Sequence, residues 1–266
     1  MKKRLVSLLC WIFISNAQEL AMVIIIPSYN NIRWYTKNLD SAFLQNYSNF
    51  RVIYIDDCST DGTGDAVKTY LDAHSDYQKK CTFIRNKHRH GALCNLYTAI
   101  HSCADHEIIV TLDGDDWLAH KNVLTKVNEP YQSADIWLTY GQYTIPNYPY
   151  DHGAKPIPQE IIATNSFRSW PSIPTHLRTF YAWLFKKIDH QDLLYQGNYF
   201  SMAWDGAMMF PMIEMASYHF QCITEPLYIY NIENPLNDHK KNVRLQSNLE
   251  KYIRSKPAYT PLLYPS

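Results

Sequence analysis

Four short apolar runs punctuate the first half of the chain, and three of them end in polar or acidic residues. Met22-Val23-Ile24-Ile25-Ile26-Pro27 is apolar at every position rather than every second one, the pattern of a strand covered on both faces. Val52 to Ile55 predicts a second strand, Thr82 to Ile84 a third and Ile108 to Leu112 a fourth. Between them the spacing turns helical. Leu39 and Phe43 recur between Trp34 and Asn46, a helix is expected from Asp65 to Ala73 after the turn-rich Ser59-Thr60-Asp61-Gly62, and Leu93, Leu96 and Ile100 mark one face from Gly91 to Cys103. Strands alternating with helices predict an α/β fold with a mainly parallel, mixed sheet and helices on both faces. Such sheets bind ligands at the carboxyl ends of their strands. Here those ends carry Ser28-Tyr29-Asn30, Asp56-Asp57 and Asp113-Gly114-Asp115-Asp116.

After Tyr140 the character changes. Pro146, Pro149, Pro156, Pro158, Pro171 and Pro174 predict a long loop region before a helix-like run from His176 to Ile188. A further helix is expected from Asp205 to Met215, and a short hairpin or edge strands from Tyr218 to Tyr230. The expected organisation is a nucleotide-binding half over residues 18–140 and an acceptor-side half of the same domain over residues 141–266.

Residues 1–17 are set apart. Lys2, Lys3 and Arg4 precede an apolar run from Leu5 to Ile14 and then Ser15-Asn16-Ala17, the layout of a secretory signal peptide. The run is too short to span about 30 Å of hydrocarbon, so a cleaved leader is expected rather than a stable transmembrane anchor. Export or the secretory pathway follows, with a cytoplasmic location the alternative. The remaining five cysteines have no metal-knuckle or redox spacing, so no disulfide framework is indicated. A formal charge of zero gives no global pull towards nucleic acid, and basic residues near the end of the chain, such as Arg244, Lys251 and Arg254, suggest a solvated helix face.

The acidic cluster carries the chemistry. Mg²⁺ or Mn²⁺ on a diphosphate takes only one or two protein carboxylates, and Asp113, Asp115 and Asp116 supply them beyond an apolar strand. An isolated Asp-x-Asp is more often a solvated turn; its position after a strand, with Trp117-Leu118 resuming at once, favours a ligand site. An EF-hand beginning at Asp113 would put Leu118 at the required glycine and Leu124 at the bidentate glutamate, which excludes that loop. No Gly-x-x-x-x-Gly-Lys or Gly-x-Gly-x-x-Gly follows a strand, which argues against a P-loop enzyme or a dinucleotide dehydrogenase.

Taken together, Ile26-Pro27-Ser28-Tyr29-Asn30, Ile55-Asp56-Asp57-Cys58-Ser59-Thr60-Asp61-Gly62 and Leu112-Asp113-Gly114-Asp115-Asp116 resemble the motifs of family-2 glycosyltransferases of the GT-A fold, in family order and spacing over about residues 22–140. The resemblance implies that Tyr29 stacks on the nucleobase, Asp57 accepts from a base N–H, and Pro27 and Ser28 line the same pocket. It places Asp113 near the ribose and gives Asp115 and Asp116 to the metal. An aromatic face with a carboxylate acceptor suits a uracil-like base. For inverting transfer to a hydroxyl, the family's base falls at the start of a helix, where Trp204-Asp205-Gly206 fits. Asp205 is thus the expected base, with a helix N-cap as its other reading. Relatives more often carry Glu-Asp there, so Trp204 is a departure.

His239 is a candidate metal or phosphate contact and Lys240 a candidate for leaving-group charge, although Asn234-Pro235-Leu236-Asn237 departs from the usual arginine-bearing pattern. His88, Arg89 and His90 are further phosphate candidates. Sugar rings stack on aromatic faces, which makes Trp170, Trp183 and Trp204 acceptor candidates, each with a core role as the plainer reading. The expected partners are a nucleotide-diphospho-sugar, UDP-linked on this reading, and a glycan, lipid-linked or protein acceptor. The competing classes are a non-catalytic nucleotide-sugar or carbohydrate-binding protein that keeps the fold, and a sugar nucleotidyltransferase. The latter lacks support because no glycine-rich, lysine-bearing loop follows the first strand.

Overall fold

The computed structural model describes residues 18–153, 155–236 and 242–264. Its first half runs β1 (Met22–Ser28), α1 (Tyr35–Phe43), β2 (Phe50–Asp56), α2 (Thr63–Ala73), α3 (Ser75–Lys80), β3 (Cys81–Arg85), α4 (Ala92–His101) and β4 (Ile108–Thr111). β1 pairs in parallel with β2 on one side and β4 on the other, and β3 extends the sheet beyond β2. Every residue of β1 is buried. Side chains alternate along a strand, so Val23 and Ile25 enter the core that contains Leu93, Leu96 and Ile100 of α4, while Met22, Ile24 and Ile26 enter the core that contains Leu39 of α1 and Val67 of α2. A strand with helices on both sides must be apolar at both parities, which is why the sequence shows a continuous run. Each such aliphatic side chain contributes about 1.5–3 kcal/mol by leaving water.

The second half adds β5 (Trp117–Leu118), α5 (Val123–Tyr131), β6 (Leu138–Ile145), β7 (Tyr148–Gly153), α6 (Gln159–Ala163), β8 (Thr179–Tyr181), α7 (Ala182–Lys186), β9 (Leu194–Tyr195), β10 (Asn198–Tyr199), α8 (Trp204–Ala216), β11 (Phe220–Ile229) and α9 (Val243–Ser255). The strand order is β3-β2-β1-β4-β8-β6-β11-β5, with β7 paired to β6. β8 runs antiparallel to both of its neighbours, and β11 runs parallel to β6. The mixed, mainly parallel sheet is therefore as expected, and it continues through both halves of the chain.

Several local expectations change. Residue 140 lies inside β6, which carries on to Ile145 and turns back into β7 through Asn147 in the left-handed region, so the proline-rich loop begins later than its first proline. The run from His176 to Ile188 is a strand followed by a short helix. Thr179 and Phe180 are buried between β4 and β6, and the Thr179 hydroxyl meets Tyr131 Oη at 2.9 Å and Thr139 Oγ1 at 2.6 Å. Apolar spacing over so few residues fits a buried strand as well as a helix. Residues 220–229 form one strand rather than a hairpin, and its register is irregular on both sides of Pro226, which has no N–H to give to the ladder.

α8 is where the sequence placed a helix, and it is buried all round from Gly206 to Ala216. α9 packs Leu249 and Ile253 inward, and its N-cap Asn242 side chain accepts from Leu245 N. Arg254 is not on a solvated face: it donates to the carbonyls of Arg168 at 2.9 Å and Trp170 at 2.7 Å, tying the helix to the loop before Ile173. Among the described residues no helix is long and apolar enough to cross a membrane, and residues 1–17 lie outside them.

Candidate active site

The acidic turn follows β4 and is held by neutral donors. Asn38 of α1, fully buried, donates Nδ2 to the carbonyls of Asp113 at 2.9 Å and Asp116 at 2.7 Å. From the end of β11, Tyr228 Oη donates to Asp116 Oδ2 at 2.6 Å and accepts from Asp113 N at 3.2 Å. Just beyond it, Asn231 N donates to Asp116 Oδ1 at 2.7 Å, and Asn234 Nδ2 donates to Asp115 Oδ2 at 2.7 Å. Gly114 is required by close approach: a Cβ there would stand 2.6 Å from Ser28 Cβ, Ser28 Oγ and Asn31 Nδ2.

Neutral donors orient carboxylates without cancelling their charge. Burial, against the pull of Arg178 and with repulsion from Asp115 and Asp205 added, pushes the Asp113 carboxyl up to about 6, even though its side chain keeps 24% of its surface open. Asp116, 1% exposed, is driven well above the ordinary range, by burial first and then by Asp115 and Asp113. The cation next to this group is Arg178, which is 1% exposed and stands at the head of β8. Its Nη2 is 3.7 Å from Asp113 Oδ2, and its Nη1 is 3.5 Å from Asp205 Oδ2. His176 stacks on Tyr228 at 4.4 Å, and burial followed by the Arg178 charge drives its pKa well below the usual histidine value, so the ring is neutral.

On the nucleotide side, Tyr29 faces the Arg89 guanidinium at 4.0 Å. Asp57 is buried and accepts from Asn86 Nδ2 at 2.9 Å, His90 N at 2.9 Å and Gly91 N at 2.8 Å. These donors outweigh the upward effect of its burial and leave its carboxyl below the ordinary range. Asp57 therefore fixes the loop that carries Arg89 and leads into α4, ahead of any contact with a base. Ser28 also stands behind the wall rather than on it: its hydroxyl accepts from Asn31 Nδ2 at 3.0 Å and from Tyr54 Oη at 2.8 Å.

These pieces surround one cavity of about 510 Å³, whose lining includes Pro27, Tyr29, Arg89, Asp113, Asp115, Asp116, Arg178, Trp204 and Asp205. That volume suits a nucleotide-sized ligand. Of the expected site residues, Ser28 and Asp57 lie outside this lining, and His239, with Asp238, Lys240 and Lys241, falls outside the described residues. Asp205 sits in the first turn of α8 across from the acidic turn. It is not the N-cap; that position is Ala203, in the left-handed region at φ 53°, and Asp205 Oδ1 accepts from Gly206 N at 2.9 Å. Of the three tryptophans, Trp204 faces the cavity, Trp183 packs edge-on against Trp137 at 5.2 Å in the core, and Trp170 packs against the same core.

Arg178, Tyr228, Asn38, Asn231 and Asn234 carry no motif that would have singled them out. The far wall belongs to Gln246 and Glu250 of α9 and to Pro171, Ser172 and Ile173. Among the described residues no three His, Cys, Asp or Glu groups form a ready-made cation cage. The donor set fits a hard cation that arrives with phosphate oxygens of its own. Asp113 and Asp115 face the cavity as oxygen donors, and the raised Asp113 and Asp116 show carboxylates crowded together where a positive charge would relieve them.

Comparison with known proteins bears on the family and the fold. The chain is 31% identical over 114 residues to an uncharacterised glycosyltransferase of Nostoc sp., covering 42% of this chain and 33% of that protein. It is 29% identical over 140 residues to a putative colanic acid biosynthesis glycosyl transferase, WcaA, of Escherichia coli, covering 47% of this chain and 48% of that one. The matched region thus spans a third to about half of those relatives. In structure it resembles the Pyrobaculum calidifontis mannosyltransferase PcManGT, solved with GDP-Man and Mn²⁺, at a TM-score of 0.63 and 18% identity over 91% of this chain and 66% of that one. It also resembles S. aureus TarS in complex with UDP, at a TM-score of 0.57 and 18% identity over 81% of this chain and 61% of that one. These likenesses identify the fold as GT-A. The model of Glycosyl transferase family 2 matches residues 23–194, well over half of the sequence, and the chain belongs to that family.

Proposed function

We propose that this protein transfers a sugar from a uridine-diphosphate donor to a hydroxyl acceptor, with inversion and with the help of Mn²⁺ or Mg²⁺. The observation that carries the reading is the convergence of Tyr29, Asp113, Asp115 and Asp205, far apart in sequence, on one cavity. Tyr29 offers the base an aromatic face, and Arg89 stands over that face as a cation for the base or the phosphates. Asp57 acts on the donor through the loop it holds. Asp115 and Asp116, both in the lining, would hold the cation, with Asp113 beside them. When bound, that cation supplies positive charge to the departing diphosphate.

Across the cavity Asp205 receives the proton of the acceptor hydroxyl. The acceptor oxygen forms a bond to the anomeric carbon on the face opposite the diphosphate, and the breaking bond leaves its electron pair on the nucleoside diphosphate. Trp204, beside Asp205 in the lining, offers an apolar face for the sugar ring. The presence of UDP and GDP-Man in structures of similar fold supports a nucleotide-sugar donor. The aromatic face of Tyr29 would take a uracil-like base, the base that the family motifs imply. Asp205→Asn should cut transfer to a small residual rate, about 1000-fold or more below the wild type, while UDP binding and the folded spectrum stay as in the wild type. Transfer by that variant at the wild-type rate would remove Asp205 from the role of base. UDP binding without turnover of any donor in the wild type would instead favour a non-catalytic binding protein.

A further inference from the structure

Among the described residues, the side chains of two arginines, Arg168 and Arg178, are no more than 9% exposed, and they are built differently. Arg168 is closely paired: Nε and Nη2 meet the two oxygens of Glu214 at 2.6 and 2.8 Å, and Nη1 donates to the Ile253 carbonyl at 2.6 Å. This is a fork-on-fork pair that fastens α8 to α9 and to the loop before Trp170. Arg178 is 1% exposed, yet it has no such partner. Its contacts are all long: 3.5 and 3.7 Å to carboxylates on opposite sides of the cavity, one at the head of α8 and one on the donor turn, and 3.5 Å from Nη2 to His176 Nε2. Among the described residues its Nε has no hydrogen-bond partner.

The backbone of Arg178 is fixed against β4. Its carbonyl accepts from Thr111 N at 3.2 Å, at the end of the strand that leads into Asp113. Its guanidinium lies 5.1 Å from the Trp204 ring, one residue before Asp205. A buried guanidinium held this loosely is an expensive way to stabilise a fold, because burial is costly and the compensating bonds are long. It is a good way to hold one wall of a cavity at a set distance from the other.

We propose that Arg178 is a positioning residue that aims Asp205 at the acceptor hydroxyl, a role that rests on the reading of Asp205 as the base. Asp205 Oδ1 is engaged by Gly206 N, so Oδ2, the oxygen facing Arg178, is the one whose direction the guanidinium sets. Because the same guanidinium reaches Asp113 Oδ2, the acceptor-activating group is registered against the donor turn directly, not only through the intervening chain. Reaction geometry is sensitive to such registration: a misplacement of about 1 Å costs on the order of 100-fold in rate.

The test compares the wild type with Arg178→Gln and Arg178→Lys, using the uridine-diphosphate sugar that the wild type turns over. For Arg178→Gln the expected result is a kcat lower by about 100-fold with the donor KM changed by less than about threefold. An ammonium can reach one carboxylate but not both, so Arg178→Lys should fold as the wild type does and lose about tenfold in kcat. In an Asp205→Asn background, Arg178→Gln should lower the residual turnover no further, because the residue it positions is already disabled. Should Arg178→Gln fail to fold, the Lys variant decides: its expected loss in kcat at constant KM supports the role and wild-type kcat overturns it. A folded Arg178→Gln protein with wild-type kcat, or a further loss in the Asp205→Asn background equal to that in the wild type, also overturns the positioning role alone. A wild type that turns over no donor, or an Asp205→Asn variant with wild-type kcat, refutes the reading on which the role rests.

Discussion

Replacing Tyr228 with Phe removes one oxygen and leaves the ring, including its stack against His176 at 4.4 Å, in place. The lost hydroxyl donates to Asp116 Oδ2 at 2.6 Å and accepts from Asp113 N at 3.2 Å, so one carboxylate oxygen and one backbone N–H lose their partner together. Asp116 is 1% exposed, and water cannot readily replace the donor. A hydrogen bond to a charged group is worth about 1.5–3 kcal/mol, and the orphaned N–H adds to the cost, so a loss of about 2–3 kcal/mol is expected. At about 2–4 °C per kcal/mol for a chain of this size, Tm should fall by about 4–12 °C. The turn that presents Asp113 and Asp115 should loosen as well, weakening UDP binding in Mn²⁺ by about tenfold, the equivalent of about 1.4 kcal/mol. Thermal unfolding and titration calorimetry measure the two effects, with the exposed Tyr252→Phe as a control. A Tyr228→Phe protein with wild-type Tm and wild-type UDP affinity would refute the idea that this hydroxyl organises the acidic turn.

Other outcomes follow from the same geometry. Gly114→Ala places a Cβ 2.6 Å from Ser28 and Asn31, and overpacking of this kind costs about 1–3 kcal/mol, so urea unfolding should shift to lower concentration with reduced UDP binding; an unshifted curve would count against it. Asp57→Ala strips the acceptor from His90 N, Gly91 N and Asn86, and should destabilise by about 1–2 kcal/mol at neutral pH. The Asp57 carboxyl lies below its ordinary range, so its contribution is present above the unfolded pKa of about 3.9 and is lost as pH falls through the folded value; the gap between variant and wild type should close in acid, and a constant gap would contradict the account. Asp113 is shifted the other way, to about 6: its contribution is present below about pH 3.9 and lost as pH rises through about 6. Without metal the cluster should therefore weaken the fold as pH rises through this window, and the gain in Tm on adding Mn²⁺ should be larger at about pH 7.5 than at about pH 5; an equal or larger gain in acid would contradict the donor set.

What could be read from the chain alone tracks burial on two faces and the chemistry of strand ends. β1, β2 and β4 are largely apolar at both parities because helices cover both sides. The acidic turn was legible because three carboxylates rarely follow such a strand without a ligand to meet. β8 was not, since Thr179-Phe180-Tyr181 is too short to show a period, and β11 was legible only as a short hairpin or edge strands because it is interrupted at Pro226. The reason residue 114 must be glycine is the approach of Ser28 from β1, a contact across 86 positions of sequence that no local pattern contains. Arg178 and Tyr228 escaped for the same cause: each looks like an ordinary residue in an aromatic stretch, and only the sheet order sets them beneath the turn. Asp57 was assigned to the base directly, whereas its three donors tie it first to the loop after β3.

The central claim is that the cavity between Tyr29, the acidic turn and Asp205 turns over a nucleotide-diphospho-sugar. The most direct measurement is release of nucleoside diphosphate from a panel of sugar donors, each with Mn²⁺ and with a chelator, by the wild type and by Asp115→Asn. The account predicts turnover of a uridine-diphosphate sugar that needs the cation and is lost in the variant. Turnover of no donor in the panel, or turnover indifferent both to the chelator and to Asp115→Asn, would contradict it.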